Sequence, residues 1–406
     1  MARLFMAGAE TGNAHAEGTT VATGTTTFDT TTKRSGTASF KHDSLAGAGA
    51  QLIYTYTGVI EQTYFLSCWL YIPSTTGYPT TTQIVVQFQG TGSVSLGNIQ
   101  LSTTGTLILR RLTTAIGSPS GVLAQDTWHR IDLKQKMGVG TVDVFEGRLN
   151  GSVFATSGLI SHSDVAVINV RWGWAASPGA SKILYVDDVI LNDDTGSVNN
   201  SYPGDDKVVL LRPTADSARD ANWFAGLSAT TNLWDAVDNI PPVGISAGSA
   251  TATSQITNAA STTTEAYSAT MQTYTAAGIA SGDTVTAVQG VVEAANGAAS
   301  ADTIGISIVS NPAVTEVLGS IPSSASTYPS QWVRISPSIA ENPSLTLGTA
   351  PVMRVRKNLA ATRRHTVCFM GMYVSYTVGA APSGTRLRFI LGLLMLFVRR
   401  RVLWQA

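Results

Sequence analysis

The residues best suited to chemistry are concentrated in "LYVDDVILNDDTGSVNNSYPGDDK", Leu184 to Lys207. Three Asp-Asp pairs fall there: Asp187/Asp188, Asp193/Asp194 and Asp205/Asp206. Together they account for six of the 26 acidic residues in a chain of 406. Clustered carboxylates serve a calcium site, which accepts irregular cages of oxygen ligands. They also serve a glycosidase, which needs two carboxyls roughly 5–10 Å apart. An EF-hand loop is excluded, because from Asp188 or Asp193 the required Gly and Glu positions fail. Asp187, Asp188 and Asp193, with Asn192 and Asp194 nearby, therefore stand as candidate Ca²⁺ ligands. The competing reading is a solvated strand end followed by a linker.

Other motifs carry less. No strand shows Glu-x-Asp-x-Glu alternation, and Asp143 and Glu146 in "VDVFEGRLNG" fall on opposite faces of a strand. "GISAG", Gly244 to Gly248, matches a nucleophile elbow in letters, but no helix signal follows Ser246. His15, His42, His129, His162 and His365 lack metal-ligand spacing, so no zinc site is expected. On these grounds the protein is expected not to be an enzyme. Trp172 and Trp174 in "RWGWAASPG" share one strand face beside a loop. They are the candidate glycan-stacking residues, with packing into the core as the alternative.

These residues must be positioned by strands. Segments rich in Val, Ile, Thr, Tyr, Phe and Trp recur along the chain, separated by Gly, Ser, Pro and Asn/Asp. In "WHRIDLK", Trp128, Arg130, Asp132 and Lys134 face one way, while His129, Ile131 and Leu133 face the other. About a dozen strands precede Asn192, too many for a minimal immunoglobulin-like domain and suited to a two-sheet jelly roll. Residues 193–206 lose the hydrophobic pattern and read as a linker whose aspartates stay wet. A second antiparallel sandwich is expected over 207–378, and an apolar, basic tail over 379–406. The run Phe389 to Val398 is too short to span a bilayer, which takes about 20 residues. It reads as an assembly contact or a last buried element.

Composition narrows the class. Only 13% of residues are charged and the formal net charge is zero, so no field attracts nucleic acid or an anionic membrane. The opening "MARLFMAGAE" has no apolar stretch of signal-peptide type, so Sec export is not expected. Cys68 and Cys368 sit in apolar strand patterns and read as two buried free thiols.

The strand order also carries a resemblance. "DTWHRIDLK", "VDVFEGRLNGSVFATSG" and "LYVDDVILND" resemble three successive parts of a concanavalin A-like (laminin-G-like) jelly roll. "DDTGSVNNSYPGDDKVVLLRPTAD", "LWDAVDNIPP" and "MGMYVSYT" resemble the β-sandwich that follows such a domain in tailed-bacteriophage virion proteins. The resemblance implies an all-β chain located in a virion, as a tail, fibre or head-decoration protein. Its implied partners are other virion proteins, further copies of itself and a host-surface glycan. Two other readings stay open: a polysaccharide-degrading virion enzyme, and a scaffold without ligand.

Overall fold

The computed structural model describes residues 2–44, 48–140, 142–160, 165–179, 181–220, 223–225, 232–238, 256–258, 265–296, 302–321, 333–335, 339–357 and 365–379. Ser246 with its Gly-x-Ser-x-Gly context, His162, and the tail from residue 380 lie outside them. The chain is all-β: a jelly-roll sandwich followed by a second antiparallel sandwich.

The first sandwich packs an eight-stranded sheet on a seven-stranded one. The eight-stranded sheet runs Ser152–Thr156, Val144–Leu149, Trp128–Lys136, Thr63–Tyr71, Lys182–Asp193, Ser39–Ser44 and Thr25–Asp29, with Arg3–Ala7 also paired to Lys182–Asp193. Alternation decides what each strand buries. Ile131 and Leu133 enter the core with Leu66, Cys68 and Leu70 from the neighbouring strand. The intervening residues stand on the outer face. Both cysteines are free and buried.

Trp172 and Trp174 require a correction. Their strand, Val167–Trp174, lies inside the seven-stranded sheet, between Gln83–Gly90 and Ala50–Thr55. The face they share is the inward one, and both are 0% exposed. Trp172 meets Phe5 and Phe40 with ring centroids 6.0 and 5.9 Å apart. Gly173, at φ 102, permits the close approach to the neighbouring strand, because a Cβ there would fall 2.3 Å from the Ala50 carbonyl oxygen. Neither indole is available to a glycan.

The second sandwich is built on two long strands, Thr284–Asn296 and His365–Thr377, paired antiparallel over most of their length. Lys207–Leu211 adds to the edge of His365–Thr377. A five-stranded sheet running from Pro213–Arg219 to Val314–Ile321 covers the other side of the core.

The two sandwiches are joined by a buried seam. Met6 and Ile190 from the first pack with Leu210, Val291, Phe369 and Tyr373 from the second. Around this apolar patch runs a polar network. The Arg3 guanidinium donates to Asn192 Oδ1 at 2.7 Å, Ser375 Oγ at 2.7 Å and Asp206 Oδ2 at 2.9 Å. Thr286 and Thr377 hydroxyls donate to the same Asp206 carboxylate at 2.6 and 2.8 Å. From the loop between Arg3–Ala7 and Thr20–Thr23, His15 Nδ1 lies 3.0 Å from Glu293 Oε2, and Ala16 accepts a hydrogen bond from Arg334 Nε at 3.0 Å.

Residues 193–206 are therefore not a wet linker throughout. Asp194 and Asp205 are exposed, but Asp193 and Asp206 are 4% and 3% exposed. A carboxylate taken out of water persists only with strong donors, and both have them.

Candidate functional site: the outer face of the eight-stranded sheet

The candidate ligands divide between two structural sites, Asp187 with Asp188 and, apart from them, Asp193. A register break between Asp187 and Ile190, with Asp188 at φ 47, turns consecutive carboxylates toward the loop 30–38. Asp187 accepts from the backbone N–H groups of Arg34 (2.8 Å) and Asp188 (2.8 Å). Asp188 accepts from the Arg34 guanidinium, Ser35 Oγ and Val208 N, each at 2.6 Å. Burial pushes both carboxyls up from their ordinary values, and for Asp188 the Arg34 charge opposes this. Asp193 lies further along the strand and accepts from Gln62 and Thr195. Asp187 and Asp188 share Arg34 and Ser35 as donors, Asp193 has a separate set, and the three form no common oxygen cage. Among the described residues, no group of three or more His, Cys, Asp or Glu converges to hold a metal. Asp188 instead ties the first sandwich to the start of the second, through Val208, while Asp187 holds the loop 30–38.

A different surface brings recognition groups together. On the outer face of the eight-stranded sheet, cross-strand register aligns Trp128 with Tyr71, and Tyr71 with Tyr185. The Trp128 and Tyr71 rings are 5.4 Å apart, and Tyr71 and Tyr185 meet edge-on at 5.8 Å. Asp126 accepts the Tyr71 hydroxyl at 3.2 Å and the Ser74 N–H at 2.9 Å, which fixes the ring's outer end. One step along the strands, Arg130 lies beside Trp69, and the Arg34 guanidinium stacks 3.7 Å above the Trp69 ring.

Two further rows are charged. Asp132 accepts from Ser67 Oγ at 2.5 Å and from Arg130 Nε at 3.2 Å. Burial raises its pKa, against the pull of Ser67 and Arg130. Across the next strand pair, Arg148 stands opposite Asp132 and Glu146 opposite Lys134. Asp132 and Glu146 are thus diagonal neighbours on one face, roughly 7–8 Å apart at their backbones. Glu146 Oε1 accepts from Arg148 Nε at 2.6 Å and from the Tyr202 hydroxyl at 2.9 Å. Tyr202 comes from the segment between the sandwiches. It lies across this face, edge-on to Phe65 at 5.1 Å and beneath the Arg148 guanidinium at 4.0 Å.

Chemically, the face combines an aromatic row for the apolar sides of sugar rings with guanidinium, ammonium and carboxyl groups for their hydroxyl and acid substituents. It also holds two carboxyls in unlike settings, Asp132 buried and Glu146 partly exposed. That inequality is what general acid–base work requires. Strand alternation already places Trp128, Arg130, Asp132 and Lys134 together. Their partners on neighbouring strands, Tyr71, Tyr185 and Glu146, depend on register and are not seen from one strand alone. Asp143 and Glu146 do fall on opposite faces: Asp143 is buried and accepts from Gly138 N at 2.7 Å.

The fold and this face define an all-β protein with a jelly-roll sandwich. No protein-family model matches the chain, and no curated protein matches it. Among solved structures, it is similar to an endo-β-1,4-glucuronan lyase from the fungus Trichoderma reesei (12% identity, TM-score 0.38, covering 47% of this chain and 95% of that one). It is also similar to an alginate lyase from Chlorella virus (13%, 0.35, covering 42% and 90%). A carbohydrate esterase from Shiga toxin-encoding bacteriophage phi24B is a third (14%, 0.36, covering 47% and 97%). At these identities the likeness is one of fold and gives no residue of this chain a role. It does correct the expectation that the protein is not an enzyme. Polysaccharide lyases and an esterase recur among the similar structures.

Proposed function

We propose that the protein is a carbohydrate-recognising component of a bacteriophage particle, and that a polysaccharide chain lies along the outer face of the eight-stranded sheet. The observation that carries this reading is the row Trp128–Tyr71–Tyr185, continued along the strands by the Arg130, Asp132, Lys134, Glu146 and Arg148 rows. The hydroxyl-rich, weakly charged composition and the resemblance of the strand segments to virion proteins support placement on a particle. The buried seam supports it too, since a stiff two-sandwich unit suits repeated docking of identical copies on other virion proteins.

The test is binding of host capsular or cell-wall polysaccharide to the full chain and to Trp128→Ala. Loss of a central aromatic anchor is expected to cost about 2 kcal/mol, or roughly thirtyfold in Kd. Equal binding by the two proteins would remove the sheet face from the proposal. The bound polysaccharide is also assayed for new chain ends, because Asp132 and Glu146 provide a carboxyl pair beside it. Peptide mass spectrometry of purified particles checks the location, and absence of the chain from them counts against a virion role.

A further inference from the structure

The outer face of the seven-stranded sheet carries cations without counter-charges. None of its strands contains Asp or Glu, and no acidic residue occurs anywhere from Gln62 to Gln125. Val170 and Trp172 point into the core, so alternation turns Arg171 outward. Register sets Arg171 beside Gln87, Gln87 beside Asn98, and Asn98 beside Arg110, in one row across four strands. Among the described residues, no group accepts a hydrogen bond from Arg171. Burial lowers its pKa, and no carboxylate acts against that. Its Nε is sealed from water, but its two Nη nitrogens keep contact with solvent. Arg110 repeats the pattern. Its Nε is sealed and unpaired, Nη1 donates to the Thr113 carbonyl at 2.6 Å, and Nη2 is open. Between them, Gln87 is only 4% exposed, yet its amide has no partner among the described residues and stays open to solvent. Asn98 is fully buried and tied to Ser95 and Leu112, so it only holds the strands in place. A half-buried guanidinium with nothing to pair with costs free energy, and an anion supplied from outside recovers it.

We infer that this face is a second binding surface, which takes an acidic polysaccharide lying across the strands. Anionic groups of the chain, carboxylate or sulfate, meet the open Nη nitrogens of Arg171 and Arg110. Its hydroxyls meet the Gln87 amide, which both donates and accepts. The guanidinium fork suits paired anionic oxygens. The spacing selects a chain over a single small ion. Arg171 and Arg110 are three strand spacings apart, about 14 Å at the backbone. A small anion with Gln87 in its way does not reach both. The row contains no aromatic ring on which a base could stack, which disfavours single-stranded nucleic acid. The outer faces of the two sheets look away from each other. This surface is therefore separate from the row Trp128–Tyr71–Tyr185 and does not require that row to bind sugar.

The experiment uses the full chain carrying Trp128→Ala, so that binding on the eight-stranded sheet is removed. It is titrated with galacturonate oligomers, sulfated dextran, uncharged dextran and an oligothymidylate, read by calorimetry at low and high salt. An acidic sugar chain is expected to bind, more weakly at high salt, and uncharged dextran is not. The tighter of the two acidic chains tells carboxylate from sulfate. Arg171→Gln is expected to weaken binding about tenfold while leaving the thermal transition in place, because it breaks no bond within the protein. Gln87→Glu supplies the missing carboxylate beside Arg171. It is expected to abolish binding without lowering the thermal transition. The proposal is overturned if no acidic chain binds, if dextran or oligothymidylate binds as tightly, or if binding survives both substitutions. Should one variant not fold, the other decides alone. Loss of host-polysaccharide binding in Trp128→Ala reports on the eight-stranded sheet and leaves this outcome untouched.

Discussion

Asp206 and Glu10 are buried at the same seam to nearly the same depth, 3% and 2% exposed, yet they are provided for differently. Asp206 has a guanidinium and two hydroxyls, drawn from Arg3, Thr286 and Thr377. Glu10 has one residue, Thr37, on one oxygen, and the carboxyls of Glu17 and Asp188 act on it unfavourably. Asp206 fastens two domains together. Glu10 stands at a gap between them. A buried carboxylate that is fully paired fastens structure, and a carboxyl left half-paired carries the cost of its burial.

The contrast is most severely tested by Asp206→Ala. It leaves the Arg3 guanidinium buried without its counter-charge, and breaking such a pair costs about 3–5 kcal/mol. Denaturant unfolding of the full chain is expected to lose that much stability and to separate into two transitions. A loss below about 1 kcal/mol would mean that the apolar seam alone holds the sandwiches together.

Glu10→Gln should act in the opposite direction. Burial raises the Glu10 pKa well above 4.5, with Thr37 opposing and Glu17 and Asp188 adding to the rise. The folded state therefore holds this proton more tightly than the unfolded chain. Stability falls as pH rises from about 4.5 through the folded value. Gln removes that fall. The variant is expected to be more stable than the parent by on the order of 1 kcal/mol near neutral pH, with the gain vanishing under acid. A variant equally destabilised at all pH values would show that Glu10, like Asp206, is a structural fastening.

The smallest effect is expected at His15. Its bond to Glu293 raises its pKa above 6.5, against burial and the nearby Arg334 charge. This contribution is fully present below about pH 6.5 and is lost as pH rises through the raised folded value. The stability difference between the parent and His15→Ala should therefore shrink from mildly acid to alkaline pH. His15 is 40% exposed, so solvent keeps the effect modest. A difference constant with pH would assign it to packing alone.

Much of the architecture was legible from alternation. "WHRIDLK" separates core from surface correctly because that depends only on neighbours along one strand. Trp172 and Trp174 show where such reasoning stops. Alternation says that they share a face, but which face points inward depends on the opposing sheet. The aspartate cluster misleads for a related reason. Asp206 looks solvated in a Gly- and Asn-rich segment, and its donors come from residues 3, 286 and 377. The recognition face is similar: Trp128 and Asp132 are visible in one strand, but Tyr71 and Glu146 join them only through register. The Glu10 carboxyl packs on Gly36, 26 residues away, which its own neighbours along the chain do not disclose.

The seam also sets an order of events during synthesis. Arg3 leaves the ribosome well before the Ser375 hydroxyl that it meets, which follows 372 residues later. Until then the first sandwich can close its own core, but Met6 and Ile190 remain uncovered and Arg3 remains in water. Contacts of such long sequence separation form late, and the waiting apolar patch is the part of the nascent chain most exposed to mispairing with other copies. The strand His365–Thr377 is therefore the step that closes the seam. A ribosome-stalled product ending before it should be held by chaperones, and one ending beyond it should be released.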